Sequence, residues 1–334
     1  MPILRKKVDL LARVEESIRQ SGWSVLYETH DKHPAIYYVY QRNRGGLVKV
    51  YIWNITHGGG VKRAADEYRI QITGVTEFEP LQGARTLILG WWDDVGVFAG
   101  WDIRQHLGPL GSSPSLQVSE GALRRALLTG FAPYVKSSGE TAIAFRPDFM
   151  GTYIQFLEPL HDSGRLPSEA ELLEELSVSP DDVADEDIDR GVEEPRRYAV
   201  LSTKRALRAL DFRRRVLSAY EHKCAMCGLQ LRLVDGAHIL PAAHPESTDR
   251  TANGIALCAL HHRAYDRGLV TFDTLFKVHV SESMIKKLTT DDRVYGLKNF
   301  QTHLRPIILT PADKKDRPAS KLVQKANVLR GWDI

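Results

Sequence analysis

Two short pairs constrain this chain more than anything else in it. They are Cys224-Ala-Met-Cys227 and, further along, Cys258-Ala-Leu-His261. The chain has three cysteines, and all three stand here. An odd count argues against a disulfide framework and for a metal site. Zinc takes four soft or borderline ligands in a tetrahedron, and the x-x spacing lets two ligands grip one ion from a knuckle or a helix start. Two such pairs make a Cys3His site for structural Zn2+, closed because protein fills all four positions. The alternative is three buried, reduced cysteines beside an unrelated histidine. The gap between the pairs is wider than in a simple zinc ribbon, so another element is inserted there.

The rest of the chain must supply the remaining structure. At 334 residues it is long enough for two domains. With 43% hydrophobic and 26% charged residues it has the balance of a soluble globular protein. No apolar run approaches the ~20 residues of a membrane span. The start, MPILRKKVDLL, lacks the apolar stretch of a signal peptide, so a cytoplasmic location without membrane contact is expected.

Val8, Leu11, Val14 and Ile18 recur at helical spacing, with Gly22 as a C-cap. AIYYVYQ, LVKVYIW and YRIQITG read as strands. TLILGWW and VGVFAGW read as a hairpin around Asp93-Asp94; EGALRRALL reads as a helix and TAIAFRP as a further strand. These place a mixed α/β domain at 1–160. The segment 161–195 is acidic and punctuated by Pro, Ser and Gly, which suits an inter-domain linker. From Arg196 the chain turns basic and predicts a long helix leading to the cysteines. The net charge is only +3, but this local basic run suits a polyanionic partner, with Arg213, Arg214 and Arg215 as DNA contacts.

AHILP stands between the cysteine pairs, NGIALC runs into the second pair, and HHRAYDRG begins at its histidine. Together these resemble the HNH endonuclease family, and most of all the HNH domains of bacterial restriction endonucleases with a zinc knuckle. The resemblance runs from about Arg196 to the end. It implies a ββα-metal fold over 196–334, within an α+β protein whose N-terminal α/β domain recognises DNA or senses a signal. Residue by residue, it makes His238 the general base. Imidazole suits that role because its ordinary pKa lies near working pH. It makes Asn253 a loop-ordering residue that in some members approaches the metal; a plain Asn-Gly turn is the other reading. It makes His262 a ligand of a catalytic Mg2+ or Mn2+. Many HNH enzymes carry an Asp or His just before the general base, whereas this chain has Ala237. Asp235, on the same strand face, and Asp266, on His262's helix face, are the candidate replacements. Asp266 can equally be a helix-end packing residue. His244 in the inserted loop is expected to be exposed. On a helix, His261 shares a face with Cys258, while His262 points about 100° away, toward the catalytic ion.

The N-terminal domain carries no familiar nuclease motif. THGGGVKR lacks the GK[ST] of a P-loop and reads as a flexible hairpin loop. Asp66 and Glu67 in ADEYRIQI make a poor carboxylate-nuclease motif, because Arg69 stands where a lysine is expected. Trp23, Trp53, Trp91, Trp92 and Trp101 all fall in this domain. Most are expected in the core, with one or two free to wall a base-recognition pocket. Lys62, Arg63 and Arg69 are candidate phosphate contacts.

Three functions follow. The first is a restriction-type endonuclease acting on double-stranded DNA, working as a homodimer where both strands are cut. The second is an antiviral effector nuclease released by a small signal molecule or a partner. The third is a non-catalytic zinc module that binds DNA.

Overall fold

The computed structural model describes residues 4–29, 32–41, 44–58, 64–136, 138–180 and 182–334. Lys62 and Arg63, and the centre of THGGGVKR, lie outside them. The chain forms two compact units, 1–208 and 209–334.

The N-terminal unit opens with α1 (Lys7–Gln20), whose Leu10, Leu11, Val14 and Ile18 are buried on one face. Strands β1 (Ser24–Thr29), β2 (Ala35–Gln41), β3 (Arg44–His57), β4 (Glu67–Gln71), β5 (Arg85–Trp92), β6 (Val97–Trp101) and β7 (Ser115–Ser119) follow. Then come α2 (Glu120–Thr129), β8 (Phe131–Val135) and β9 (Thr141–Phe145). One nine-stranded sheet runs β1-β2-β3-β5-β6-β9-β8, with β4 on β3 and β7 on β4. Among the described residues, only β3 and β5 of this sheet pair in parallel. The expected hairpin at Asp93-Asp94 joins β5 to β6, with Gly96 in the left-handed region that the turn needs. Trp53, Trp91, Trp92 and Trp101 are buried in this unit; Trp23 is half-buried at its edge.

Next, α3 (Met150–Ser163) bends at Phe156, where the backbone leaves helical geometry. The cause is Pro159, which has no N–H for the carbonyl of Gln155 and crowds it. Further along α3, His161 is fully buried between two partners: Thr141 O at 2.9 Å from Nδ1 and the Tyr153 hydroxyl at 3.0 Å from Nε2. The carbonyl can only accept, so Nδ1 carries the proton and Nε2 accepts from Tyr153. Burial pushes this imidazole down to about 4.

The segment 161–195, expected as a linker, is instead folded into this unit. It carries α4 (Pro167–Val178) and α5 (Asp185–Gly191), with Leu173, Leu176, Val183, Ile188 and Val192 buried. Its acidity is matched by the next helix, α6 (Arg196–Ala219). Glu169, 4% exposed, takes a two-pronged grip from Arg196 at 2.9–3.1 Å, and Lys204 pairs with Asp185. The charge blocks that look like a solvated linker and a nucleic-acid surface thus neutralise one another in part.

The C-terminal unit holds β10 (Val234–His238), β11 (Gly254–Cys258), α7 (Ala259–Asp266), β12 (Val270–Phe272), β13 (Val278–Val280), α8 (Glu282–Thr290), α9 (Leu297–Thr302) and α10 (Ser320–Leu329). β10 and β11 form an antiparallel pair in which Val234 faces Cys258 and His238 faces Gly254. Its core gathers Phe212, Val216, Tyr220, Ile255, Leu257, Tyr265 and Phe272. Among the described residues, no helix is long and apolar enough to cross a membrane.

Candidate active site and metal centre

The metal centre is built from two turns. After α6 the chain turns through Glu221 and His222, both at positive φ, into the Cys224–Cys227 knuckle. Gly228 closes that knuckle, donating to Cys224 O at 2.7 Å. The second half is the start of α7, where Cys258 is the N-cap and His261 stands in the first turn. The ligand atoms of Cys224, Cys227, Cys258 and His261 all lie within 4.8 Å of one another. His261 Nδ1 is 3.6 Å from Cys224 Sγ and 3.2 Å from Cys258 Sγ, and the Sγ atoms of Cys227 and Cys258 are 4.0 Å apart. Zn–S bonds of ~2.3 Å in a tetrahedron place sulfurs at such separations. His261 is buried, and its second nitrogen has no partner among the described residues. The residues present therefore fit a closed Cys3His metal site, as the spacing implies.

His238 ends β10, so it stands at the mouth of the ββ hairpin. Two contacts hold its ring. Phe212 of α6 stacks on it at 3.8 Å between centroids, with planes 9° apart. The Asp249 carboxylate lies 3.0 Å from Nε2. A carboxylate accepts only, so Nε2 donates to it, and in the neutral ring Nδ1 is the nitrogen left to accept. The stacking depends on how closely α6 approaches the hairpin. A Cβ on Gly254 would lie 2.2 Å from Val216 and 3.1 Å from Phe212. Only glycine admits the helix there, and this fixes the Gly of the Asn253-Gly254 pair.

Asn253 is fully buried and uses both ends of its amide. Its Oδ1 accepts from Leu240 N at 2.9 Å. Its Nδ2 donates to Ser247 Oγ at 3.0 Å and Thr248 O at 2.9 Å. It ends a short 3-10 turn, and Gly254 enters β11 in extended geometry, so a plain Asn-Gly turn does not describe it. The side chain staples the loop that carries Asp249. Arg215 adds a second brace, donating to Asp249 O at 2.7 Å.

The other expected site residues are distributed differently. His262 and Asp266 pair along α7, with Nε2 to Oδ2 at 3.6 Å, and both remain solvent-accessible. Asp235 is taken by Arg213, at 2.7 Å. Ala237 is buried beside it. Among the described residues, only the Cys3His set gathers three or more metal-type ligands. Arg214 and Arg215 both pair with Asp211, so the three arginines expected on DNA make ion pairs inside the unit. His244 is half-buried rather than exposed, its Nδ1 accepting from Glu246 N at 3.1 Å. On β4, Arg69 is half-buried, with its Nε inside the protein. Asp66 and Glu67 serve as main-chain acceptors for Glu120 N and Gly58 N.

Asp249 and Phe212 were not legible as site residues. The only cue to Asp249 is a carboxylate within the insert, four residues before Asn253. Phe212 has none, because it arrives from a distant helix.

Two family models match the chain. Residues 47–154 match a family described as methylase-associated X1, and residues 224–273 match the HNH endonuclease family. No curated protein matches it. A solved structure, the modification-dependent TagI restriction endonuclease, aligns with 85% of this chain and 81% of its own. The identity is 10% and the TM-score 0.30, too loose to fix a shared fold. The paired strands β10 and β11, the helix α7 and the Cys3His cluster fall within the HNH match or at its borders. The C-terminal unit thus carries an HNH endonuclease domain, and this chain is a nuclease.

Proposed function

We propose that this protein is a metal-dependent DNA endonuclease of restriction type. The observation that carries the reading is His238, gripped by Phe212 and Asp249 at the mouth of a ββα unit that a closed metal site supports. Bound Mg2+ or Mn2+ supplies charge stabilisation to the scissile phosphate and the leaving oxygen. His262 and Asp266 offer one nitrogen and one carboxylate on an accessible helix face, which suits an ion that keeps most positions for water and phosphate. Asp235 can join only by releasing Arg213.

With Nε2–H held by Asp249, Nδ1 of His238 takes the proton of the attacking water. Asp249 fixes the tautomer and keeps its own charge; it does not accept the proton. The water oxygen bonds to phosphorus as the bond to the leaving oxygen breaks. The N-terminal unit selects the DNA, by sequence or by base modification, and the match to a methylase-associated family supports that division. One such site cuts one strand, so a double-strand break takes two copies or two binding events.

The test is cleavage of unmodified, methylated, hydroxymethylated and phosphorothioated DNA with Mg2+ or Mn2+. Cutting of at least one substrate, abolished in His238→Ala, is expected. No cutting of any substrate, or full activity in His238→Ala, overturns the reading.

A further inference from the structure

The N-terminal unit contains a cavity of about 470 Å³ that the nuclease chemistry does not use. Its size falls within the ~300–1,000 Å³ of small-molecule sites. It is lined by Trp23, by Arg44 and Arg85 at the starts of β3 and β5, and by the bend of α3 at Gln155 and Phe156. Tyr198 of α6 completes the wall.

Three features of this lining point to one kind of ligand. The first is charge. No Asp or Glu lines the cavity, and among the described residues neither Arg44 nor Arg85 has an ion-pair partner. In a chain whose other arginines are so often paired, two free guanidiniums at one cavity favour an anion, and their planar fork fits phosphate. The second is aromatic surface. The Trp23 indole is seated against Gly151, where a Cβ would lie 2.4 Å from its ring. Phe156 and Tyr198 meet edge to face at 5.9 Å. Trp23 is thus held at this cavity, whereas Trp53, Trp91, Trp92 and Trp101 are buried in the core. The third is hydrogen bonding. The Gln155 amide has no partner among the described residues, and Pro159 leaves the Gln155 carbonyl without its helical donor.

We infer that this cavity binds a nucleotide, with its base on the aromatic wall, its edge on Gln155 and its phosphate on Arg44 and Arg85. The inference rests on the proposed role of the N-terminal unit in choosing DNA. The chemistry admits two sources: a nucleotide turned out of duplex DNA, or a free one.

Gly46 provides a clean probe. It lines the cavity, its φ is ordinary, and a Cβ there would meet nothing within 4 Å. Gly46→Phe should fill the space without disturbing the fold, and an unchanged melting temperature checks this. Binding is measured on the full chain carrying His238→Ala, so that DNA stays intact. The probes are matched duplexes, duplexes with a single mismatch, and free nucleoside 5′-monophosphates. A mismatch lowers the cost of extrusion, so a site that holds an extruded nucleotide prefers it.

Preference for the mismatched duplex should be roughly tenfold or more and should vanish in Gly46→Phe and Trp23→Ala. Arg44→Ala with Arg85→Ala should weaken all duplex binding and lower the salt slope by about 2. Binding of the free monophosphates with no mismatch preference, lost in the same variants, would assign the cavity to a free nucleotide. Wild-type behaviour of all these variants toward every probe overturns the inference. Cleavage by the chain with intact His238 is scored separately. DNA cutting with unaltered binding in the cavity variants sinks this inference alone; altered binding without any cutting sinks only the nuclease mechanism.

Discussion

The two units of this protein are held together by different means. The N-terminal unit is organised around a nine-stranded sheet and a core rich in fully buried aromatic side chains, Trp101, Tyr37, Tyr51, Phe98 and Phe145 among them. Some of its ionisable residues, such as Asp102 with Arg104 and Glu169 with Arg196, are folded against one another. The C-terminal unit has two two-stranded sheets and a smaller core, and it gathers a Cys3His set of metal-type ligands and polar side chains spanning long loops. A large apolar core leaves little need for special residues, so it leaves few motifs. A small one needs particular residues at particular spacings, and those are what a reader of the sequence can find.

The largest effect should come from removing the metal. Structural zinc contributes roughly 10 kcal/mol or more of folding free energy where the site forms only in the folded state. Chelation, or Cys258→Ala, should therefore unfold the C-terminal unit. Amide exchange should show the sheet of the N-terminal unit still protected; collapse of both units together would break the comparison.

Next comes Asp249→Asn. An amide donating to Nε2 would shift the proton to Nδ1 and block the base. Cleavage should slow by roughly 10²- to 10⁴-fold with substrate binding unchanged. A rate near wild type would show that the carboxylate does not hold the tautomer.

His161 tests the N-terminal unit. Its folded pKa of about 4 lies below the ordinary 6.5, so the unfolded state binds the extra proton between those values. Stability is full above about pH 6.5 and falls as the pH drops toward 4, by about 3 kcal/mol. In urea titrations of the N-terminal unit, His161→Gln should flatten this dependence; an unchanged slope would exclude His161 as its source.

The smallest effect is Gly254→Ala. The new methyl must push Val216 and Phe212 away, at about 1–3 kcal/mol. The displaced Phe212 should also loosen His238. A stability loss without any loss of cleavage would separate packing from positioning.

What the sequence revealed follows the same division. Cys224, Cys227, Cys258 and His261 were legible because metal geometry restricts both residue type and spacing. His238, Asn253 and His262 were singled out only as a set, by a family resemblance. The partners that orient His238 were not, since Phe212 and Asp249 meet it through folding and through no local pattern. In the N-terminal unit, α1 and the β5–β6 hairpin showed in periodicity and turn chemistry. The parallel pairing of β3 with β5 did not, because pairing order leaves no local trace. The stretch at 161–195 misled because composition reports charge without reporting its partner: Glu169 and Asp185 look solvated until Arg196 and Lys204 fold against them.

The last helix ties the strand that ends in His238 to residues far along the chain. Arg330 donates to the carbonyl of Ile239, next to His238, at 2.9 Å and lies over the Tyr265 ring. Asn327 bonds both Thr271 and Phe272. A ribosome therefore releases these clamps only after it has made the residues they secure. Until Arg330 has been made, the strand ending in His238 lacks this anchor.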